Sequence, residues 1–63
     1  MTDWILTPAQ RAEYIALVEK QGRLQARATL RARYAMNQAA WWRKNKTAVQ
    51  AEWDRIDGEE SGK

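Results

Sequence analysis

Residues 24–36 read LQARATLRARYAM, and their interpretation determines whether the chain is helical or contains a strand. Apolar and polar residues alternate along this stretch, which is the pattern of a half-buried strand. The residue types are mostly Ala, Leu, Arg and Gln, which favour helix, and β-branched residues are nearly absent. No other segment offers a partner strand. We therefore interpret the stretch as helix and predict an all-α protein.

The helix before this stretch has clear signals at both ends. Thr7-Pro8-Ala9-Gln10 combines an N-cap residue, a proline suited to the first helical position and a glutamine that completes a capping box. Gly22 follows Lys20 and is typical of a helix C-terminus. These signals predict a first helix over residues 8–21.

The helical pattern continues after Gly22, and we predict helices over about residues 23–36 and 38–57. One heptad-like series joins them, in which members are spaced alternately by four and three. The series consists of Ala28, Ala32, Ala35, Ala39, Trp42, Lys46, Val49, Trp53 and Ile56. Two arrangements fit: residues 23–57 form one long helix in a hairpin, or the chain bends near Asn37 or Asn45 and forms a small bundle. The chain thus has two to three helices.

The chain is long enough for one small domain, which we assign to residues 1–57. Residues 58–63 are polar, acidic and contain glycine, and we expect a disordered tail. The acidic residues near this end do not follow a calcium-loop pattern, and we interpret them as a solubilising end. They are Glu52, Asp54, Asp57, Glu59 and Glu60.

The composition argues against an enzyme. The chain contains no Cys and no His, and its only serine is Ser61, so the usual nucleophile, general-base and zinc-ligand combinations cannot be assembled. We expect no catalytic residues, metal, cofactor or small-molecule substrate. No apolar run approaches the roughly 20 residues that a membrane helix needs, and no signal peptide is visible. We therefore expect no membrane association and a cytoplasmic location.

Positive charge is concentrated in the middle of the chain, although the net charge is only +3. Between Lys20 and Ala51 there are eight basic residues and no acidic one, whereas the rest of the chain holds three basic and eight acidic residues. Such a segment attracts phosphate or an acidic protein surface. A solvated helix face rich in arginine is the alternative.

Residues 27–46 resemble the helix-turn-helix of small DNA-binding repressors. Leu30 and Tyr34 match the buried positions of the first helix, Ala35-Met36-Asn37 the turn, and residues 38–44 the recognition helix, with Met36 and Trp41 in the hydrophobic slots. The sequence departs from the pattern at Ala35, where glycine is usual, and at Arg31, where a small residue is usual. The resemblance implies that Asn37, Gln38, Trp42 and Arg43 face the major groove, with Lys44 and Lys46 near phosphates.

Together, these arguments predict a nucleic-acid-binding set of Arg27, Arg31, Asn37, Gln38, Arg43, Lys44 and Lys46. The first functional hypothesis is therefore a small non-enzymatic regulator that binds nucleic acid through its basic middle. It requires the basic residues of this set to be exposed on a common surface.

The tryptophans support a second hypothesis. They are either core residues of a chain without Phe or an exposed anchor for a partner, because Trp, Tyr and Arg dominate binding hot spots. The predicted partner-binding set is Trp41, Trp42, Val49, Trp53 and Ile56. The protein would then be an inhibitor, adaptor or assembly factor of the kind made by phages and mobile elements, with a self-associating coiled coil as a further possibility. This hypothesis requires Trp42 or Trp53 to be exposed.

Overall fold

The computed structural model describes residues 4–61, with side chains as far as residue 59. Within this range the chain forms three α-helices, α1 (Pro8–Gln21), α2 (Arg23–Asn37) and α3 (Ala39–Ser61). They pack into a small bundle that measures 35 × 30 × 18 Å. At about 1.5 Å per residue, α3 alone is roughly as long as the bundle. The all-α prediction is confirmed.

The predicted capping box starts α1. The Thr7 hydroxyl accepts a hydrogen bond from the Gln10 backbone N–H at 3.1 Å, and the Gln10 side chain accepts one from the Thr7 N–H at 2.9 Å. Two amides at the helix start are thereby satisfied, and Pro8 has no N–H to satisfy. The predicted range 8–21 is confirmed.

Gly22 separates α1 from α2. Its φ of 91° and ψ of 162° lie in a region that only glycine enters at low cost. Its N–H donates to the Val18 carbonyl at 2.8 Å, and its carbonyl accepts from the Ala26 N–H at 2.9 Å. One residue therefore reverses the chain while both of its backbone groups remain hydrogen-bonded.

Gln38 separates α2 from α3, so the alternative of one helix over residues 23–57 is wrong. Gln38 has φ −139° and ψ 50°, yet its N–H donates to the Tyr34 carbonyl and its carbonyl accepts from the Trp42 N–H, both at 2.7 Å. The break therefore forfeits few hydrogen bonds. Of the two predicted bends, the one near Asn37 is confirmed. Helix α3 continues through Asn45, whose side chain donates to the Trp41 carbonyl at 2.9 Å.

The break changes which residues form the core. Helix α2 buries Ala26, Leu30 and Tyr34, spaced by four, whereas the alanines of the predicted series face outward at Ala32 and Ala35. A heptad series requires an unbroken helix, and the break at Gln38 interrupts the predicted one. The first half of the predicted series is therefore wrong. The second half holds in α3, which buries Trp42, Val49, Trp53 and Ile56.

The segment before α1 packs on α3 through a buried carboxylate. Glu52 accepts hydrogen bonds from the backbone N–H groups of Ile5 at 2.6 Å and Leu6 at 3.0 Å. Trp4 lies between two guanidinium groups, with Arg11 at 4.6 Å and Arg55 at 4.7 Å from its ring centroid. The interpretation of the acidic C-terminal end as merely solubilising is therefore wrong for Glu52.

The expected disordered tail is also wrong for residues 58–61, because α3 continues to Ser61. Gly58 lies inside the helix, with an exposed surface. The rest of the predicted tail, Gly62 and Lys63, lies outside the described residues.

The two described glycines provide a matched test of the connection between α1 and α2. Gly22→Ala should lower the free energy of unfolding by about 1–3 kcal/mol, because alanine is strained at this φ and ψ. Gly58→Ala should raise it by about 0.5–1 kcal/mol, because alanine favours helix. Apart from the adjoining residues and the local helix backbone, no described atom lies within 4 Å of a Cβ built at either position. Urea denaturation of both variants checks this, and equal effects would contradict the assigned role of Gly22.

Candidate functional site

The tryptophans lie in the core and do not form an exposed face. Trp53 and Val49 are fully buried, Ile56 is nearly so, and Trp42 is 9% exposed. The partner-binding prediction is therefore wrong for these four residues, because α3 folds back and packs this face against α1 and α2. Trp41 is half-buried and packs edge-on against Tyr34, with ring centroids 5.6 Å apart.

The aromatic rings form a continuous chain through the bundle. Trp53 stacks on Tyr14 of α1 at 5.4 Å between centroids and lies 6.1 Å from Trp42. Trp42 in turn lies 5.9 Å from Tyr34 of α2. Each such pair contributes about 0.5–1.5 kcal/mol beyond the area it buries. The aromatic residues that appeared to be partner anchors thus join the three helices.

Arg27 belongs to this structural network. Its Nε donates to the Tyr14 hydroxyl at 3.1 Å, and its Nη2 donates to Asp54 at 2.8 Å and to Asp57 at 2.6 Å. The Tyr14 hydroxyl also donates to Asp57 at 3.0 Å. Since the charge of Arg27 is neutralised by two carboxylates, its prediction as a free nucleic-acid-binding residue is wrong.

Other arginines are also engaged within the fold. Arg33 pairs with Glu13 of α1, and Arg23 lies 3.7 Å from Asp57. Arg11 donates to the Leu6 carbonyl at 2.7 Å besides packing on Trp4. These pairs hold α1, α2 and α3 together.

Four of the predicted basic residues have no partner among the described residues, and three of them, Arg31, Arg43 and Lys46, line depressions between α2 and α3. Arg31, Arg43 and Lys46 are exposed and make no ion pair or hydrogen bond with any residue that the structure describes. Ala39, Arg43, Lys46 and Gln50 share one face of α3, because they are spaced by four, three and four. Arg31 and Ala35 are likewise one turn apart on α2.

Two depressions lie along this side of the bundle. One is lined by Leu24, Arg27, Arg31, Gln50 and Trp53, and the other by Ala35, Ala39, Trp42, Arg43 and Lys46. We call the two together the α2–α3 groove, with Trp42 and Trp53 as its floor. Their volumes of about 210 and 300 Å³ are at or below the lower end of the range for drug-sized pockets, roughly 300–1,000 Å³. The groove suits a phosphate or a single side chain.

The other predicted nucleic-acid-binding residues lie elsewhere. Lys44 is exposed on α3, but it points about 100° away from Arg43 and does not line the groove. Asn37 and Gln38 are exposed at the corner between α2 and α3. Of the seven predicted residues, the groove therefore brings together Arg31, Arg43 and Lys46, while Arg27 lines one end as a neutralised group.

Sequence analysis missed two residues of the groove, Leu24 and Gln50. Gln50 lies seven residues after Arg43 and four after Lys46, so helical spacing from a predicted basic residue would have found it. Leu24 is 87% exposed and carries no comparable signal.

Side-chain burial can be compared with the helix-turn-helix resemblance at three residues of α2. Leu30 and Tyr34 are buried. Met36 is 83% exposed instead of filling a hydrophobic slot, because the buried face of α2 follows Ala26, Leu30 and Tyr34. The resemblance itself stays a prediction.

Over the described part of the chain, no cluster of three metal-binding side chains is present, and no helix has the length and apolarity needed to cross a membrane. Comparison with known proteins finds no matching family model, curated protein or solved structure. The α2–α3 groove is therefore the feature of the described chain from which a function can be inferred.

Ionisation of the two core tyrosines should lower the stability of the protein at alkaline pH. Burial raises the pKa of Tyr14 and of Tyr34 above the ordinary value of 10.0. The unfolded chain then releases these protons at lower pH than the folded protein, so the free energy of unfolding falls as pH rises above about 10. Urea denaturation from about pH 8 to about pH 11, followed together with tyrosinate absorbance, checks this. Ionisation of both tyrosines without loss of stability would contradict the packing described.

Proposed function

We propose that the protein is a small non-enzymatic regulator that binds nucleic acid through the α2–α3 groove. The observation that carries this proposal is a group of three cations without ion-pair partners among the described residues: Arg31 lines one depression of the groove, and Arg43 and Lys46 line the other. Guanidinium and ammonium groups without protein partners are the usual ligands of phosphate. The groove is also of a size that accepts such groups.

The placement of the acidic residues supports the same proposal. Glu13 pairs with Arg33, Glu52 binds the backbone of Ile5 and Leu6, and Asp57 binds Arg27. With Asp54, which also binds Arg27, four of the six acidic side chains that the structure describes are thereby engaged, and no acidic residue lines the groove. An uncompensated patch of this kind attracts a polyanion and steers its approach.

The shape of the groove favours contacts to the phosphate backbone. The cations flank a depression, and the floor residues Trp42 and Trp53 are too buried to stack on bases. Phosphate contacts position a nucleic acid but do not read its sequence. Binding through the groove should therefore depend strongly on salt and only weakly on sequence.

An acidic protein segment is a second candidate ligand for the same groove. The observation in its favour is Leu24, which lines one end of the groove and is 87% exposed. An apolar contact in the same depression as Arg31, with Arg43 and Lys46 in the second depression, matches an acidic, partly apolar peptide. Such a partner would depend on Leu24, whereas phosphate binding would not.

Salt titration of oligonucleotide binding tests the proposed function. Three phosphate contacts predict a slope of log affinity against log salt of roughly −2 to −3. Arg43→Ala should reduce this slope by about one unit, because Arg43 lines the groove. The neighbouring variant Lys44→Ala should leave the slope nearly unchanged, because Lys44 lies on another face.

A slope near zero would contradict nucleic-acid binding. Equal effects of Arg43→Ala and Lys44→Ala would contradict the groove as its site. If Leu24→Ala abolished binding of an acidic peptide while oligonucleotides failed to bind, the second candidate would replace the first.

A further inference from the structure

One end of the α2–α3 groove is rich in hydrogen-bond donors. Arg31 is exposed and unpaired, and Gln50 is half-buried with no hydrogen-bond partner for its side chain among the described residues. Across the same depression, Arg27 is already held by Asp54 and Asp57. Arginine has five N–H donors and no acceptor, and the glutamine amide can present its NH₂ group. The side-chain groups at this end that have no hydrogen-bond partner among the described residues are therefore mostly donors.

Trp53, which lines the same depression, carries a buried donor without an acceptor. Trp53 is fully buried, and its Nε1–H finds no hydrogen-bond partner in the part of the chain that the structure describes. Indole is a donor only, and a buried donor without an acceptor is rare in folded proteins because the lost hydrogen bond to water is not replaced. An acceptor supplied by a ligand would satisfy it.

We propose that the depression between Arg31, Gln50 and Trp53 binds a single phosphate group. Arg31 supplies the positive charge and a two-pronged set of donors, Gln50 supplies its amide N–H, and the Trp53 Nε1–H completes the contacts. A phosphate oxygen accepts several hydrogen bonds at once, so one group can satisfy all three side chains.

This proposal rests on the proposed function for the origin of the phosphate, which is the nucleic-acid backbone. It goes further by naming one position in the groove where a phosphate is held in fixed contact. Arg43 and Lys46, which line the second depression, would then contact neighbouring phosphates. The first depression would thus hold one phosphate of the nucleic-acid backbone in fixed contacts. The second depression would bind neighbouring phosphates less tightly.

The indole N–H resonance of Trp53 in ¹⁵N-labelled protein is a direct probe of the proposed contact. Loss of one indole signal in Trp53→Phe assigns it. Inorganic phosphate should shift this resonance downfield in a saturable manner, since a new hydrogen bond deshields the proton. Sodium chloride at matched ionic strength should leave it in place.

Variants of exposed or half-buried residues test which side chains form the site. Arg31→Gln should abolish saturation by inorganic phosphate, and Gln50→Ala should weaken it several-fold. Lys44→Gln removes the same charge from another face of α3 and should change neither the shift nor the midpoint. Backbone spectra of each variant establish that the fold is retained.

Titration with a single-stranded oligonucleotide separates this proposal from the proposed function. If the oligonucleotide binds in the groove but the Trp53 resonance does not move with either ligand, the phosphate position is wrong and the proposed function stands. If inorganic phosphate moves the resonance but no oligonucleotide binds, the phosphate site stands and the proposed function is wrong. A shift that persists unchanged in Arg31→Gln would overturn the site.

Discussion

The stacking of Trp53 on Tyr14 is the contact on which the rest of the structure depends. Both side chains are fully buried, and their rings lie 5.4 Å apart between α3 and α1. Arg27 of α2 lies about 6 Å from both rings and binds Tyr14 and Asp57 at their edge. All three helices therefore meet at this point. In a chain with few large aliphatic side chains, four aromatic rings and the partly buried Arg27 complete a core that also contains Leu6, Leu30, Val49 and Ile56.

This arrangement divides the basic segment into two groups with different roles. Arg27 and Arg33 form ion pairs between helices, and carboxylates of the same chain neutralise their charge. Arg31, Arg43 and Lys46 have no such partners among the described residues and surround the α2–α3 groove. The proposed function follows from this division, because only unpaired cations at one place can neutralise a neighbouring polyanion.

The helix boundaries set by local chemistry could be predicted from the sequence. The capping box at Thr7 and the glycine at residue 22 act through backbone groups a few residues away, so their effects are visible in the sequence. The break at Gln38 has a weaker signal: a bend near Asn37 was one of two predicted positions, but no glycine or proline occurs there to decide between them. It is favoured by distant contacts, since only a bent chain brings Trp42 and Trp53 back onto Tyr34 and Tyr14.

The same distinction applies to the candidate site. The basic character of the middle segment was evident, but the sequence could not show that Arg27 would be neutralised by Asp54 and Asp57, about 30 residues away. Nor could it show that Glu52 would be buried against the backbone of Ile5 and Leu6. Both depend on how α3 lies across the bundle. Once α3 is known to begin at Ala39, helical spacing places Arg43, Lys46 and Gln50 on one face of the helix. The same spacing places Lys44 on a different face.

The most direct test of the account is to map bound oligonucleotide on the protein by backbone amide chemical shifts. The account predicts that the shifts cluster along the α2–α3 groove, around Arg31, Ala35, Arg43 and Lys46, and that the outer face of α1 is unaffected. Shifts centred on Lys44 and Arg55, on the opposite side of α3, would contradict it.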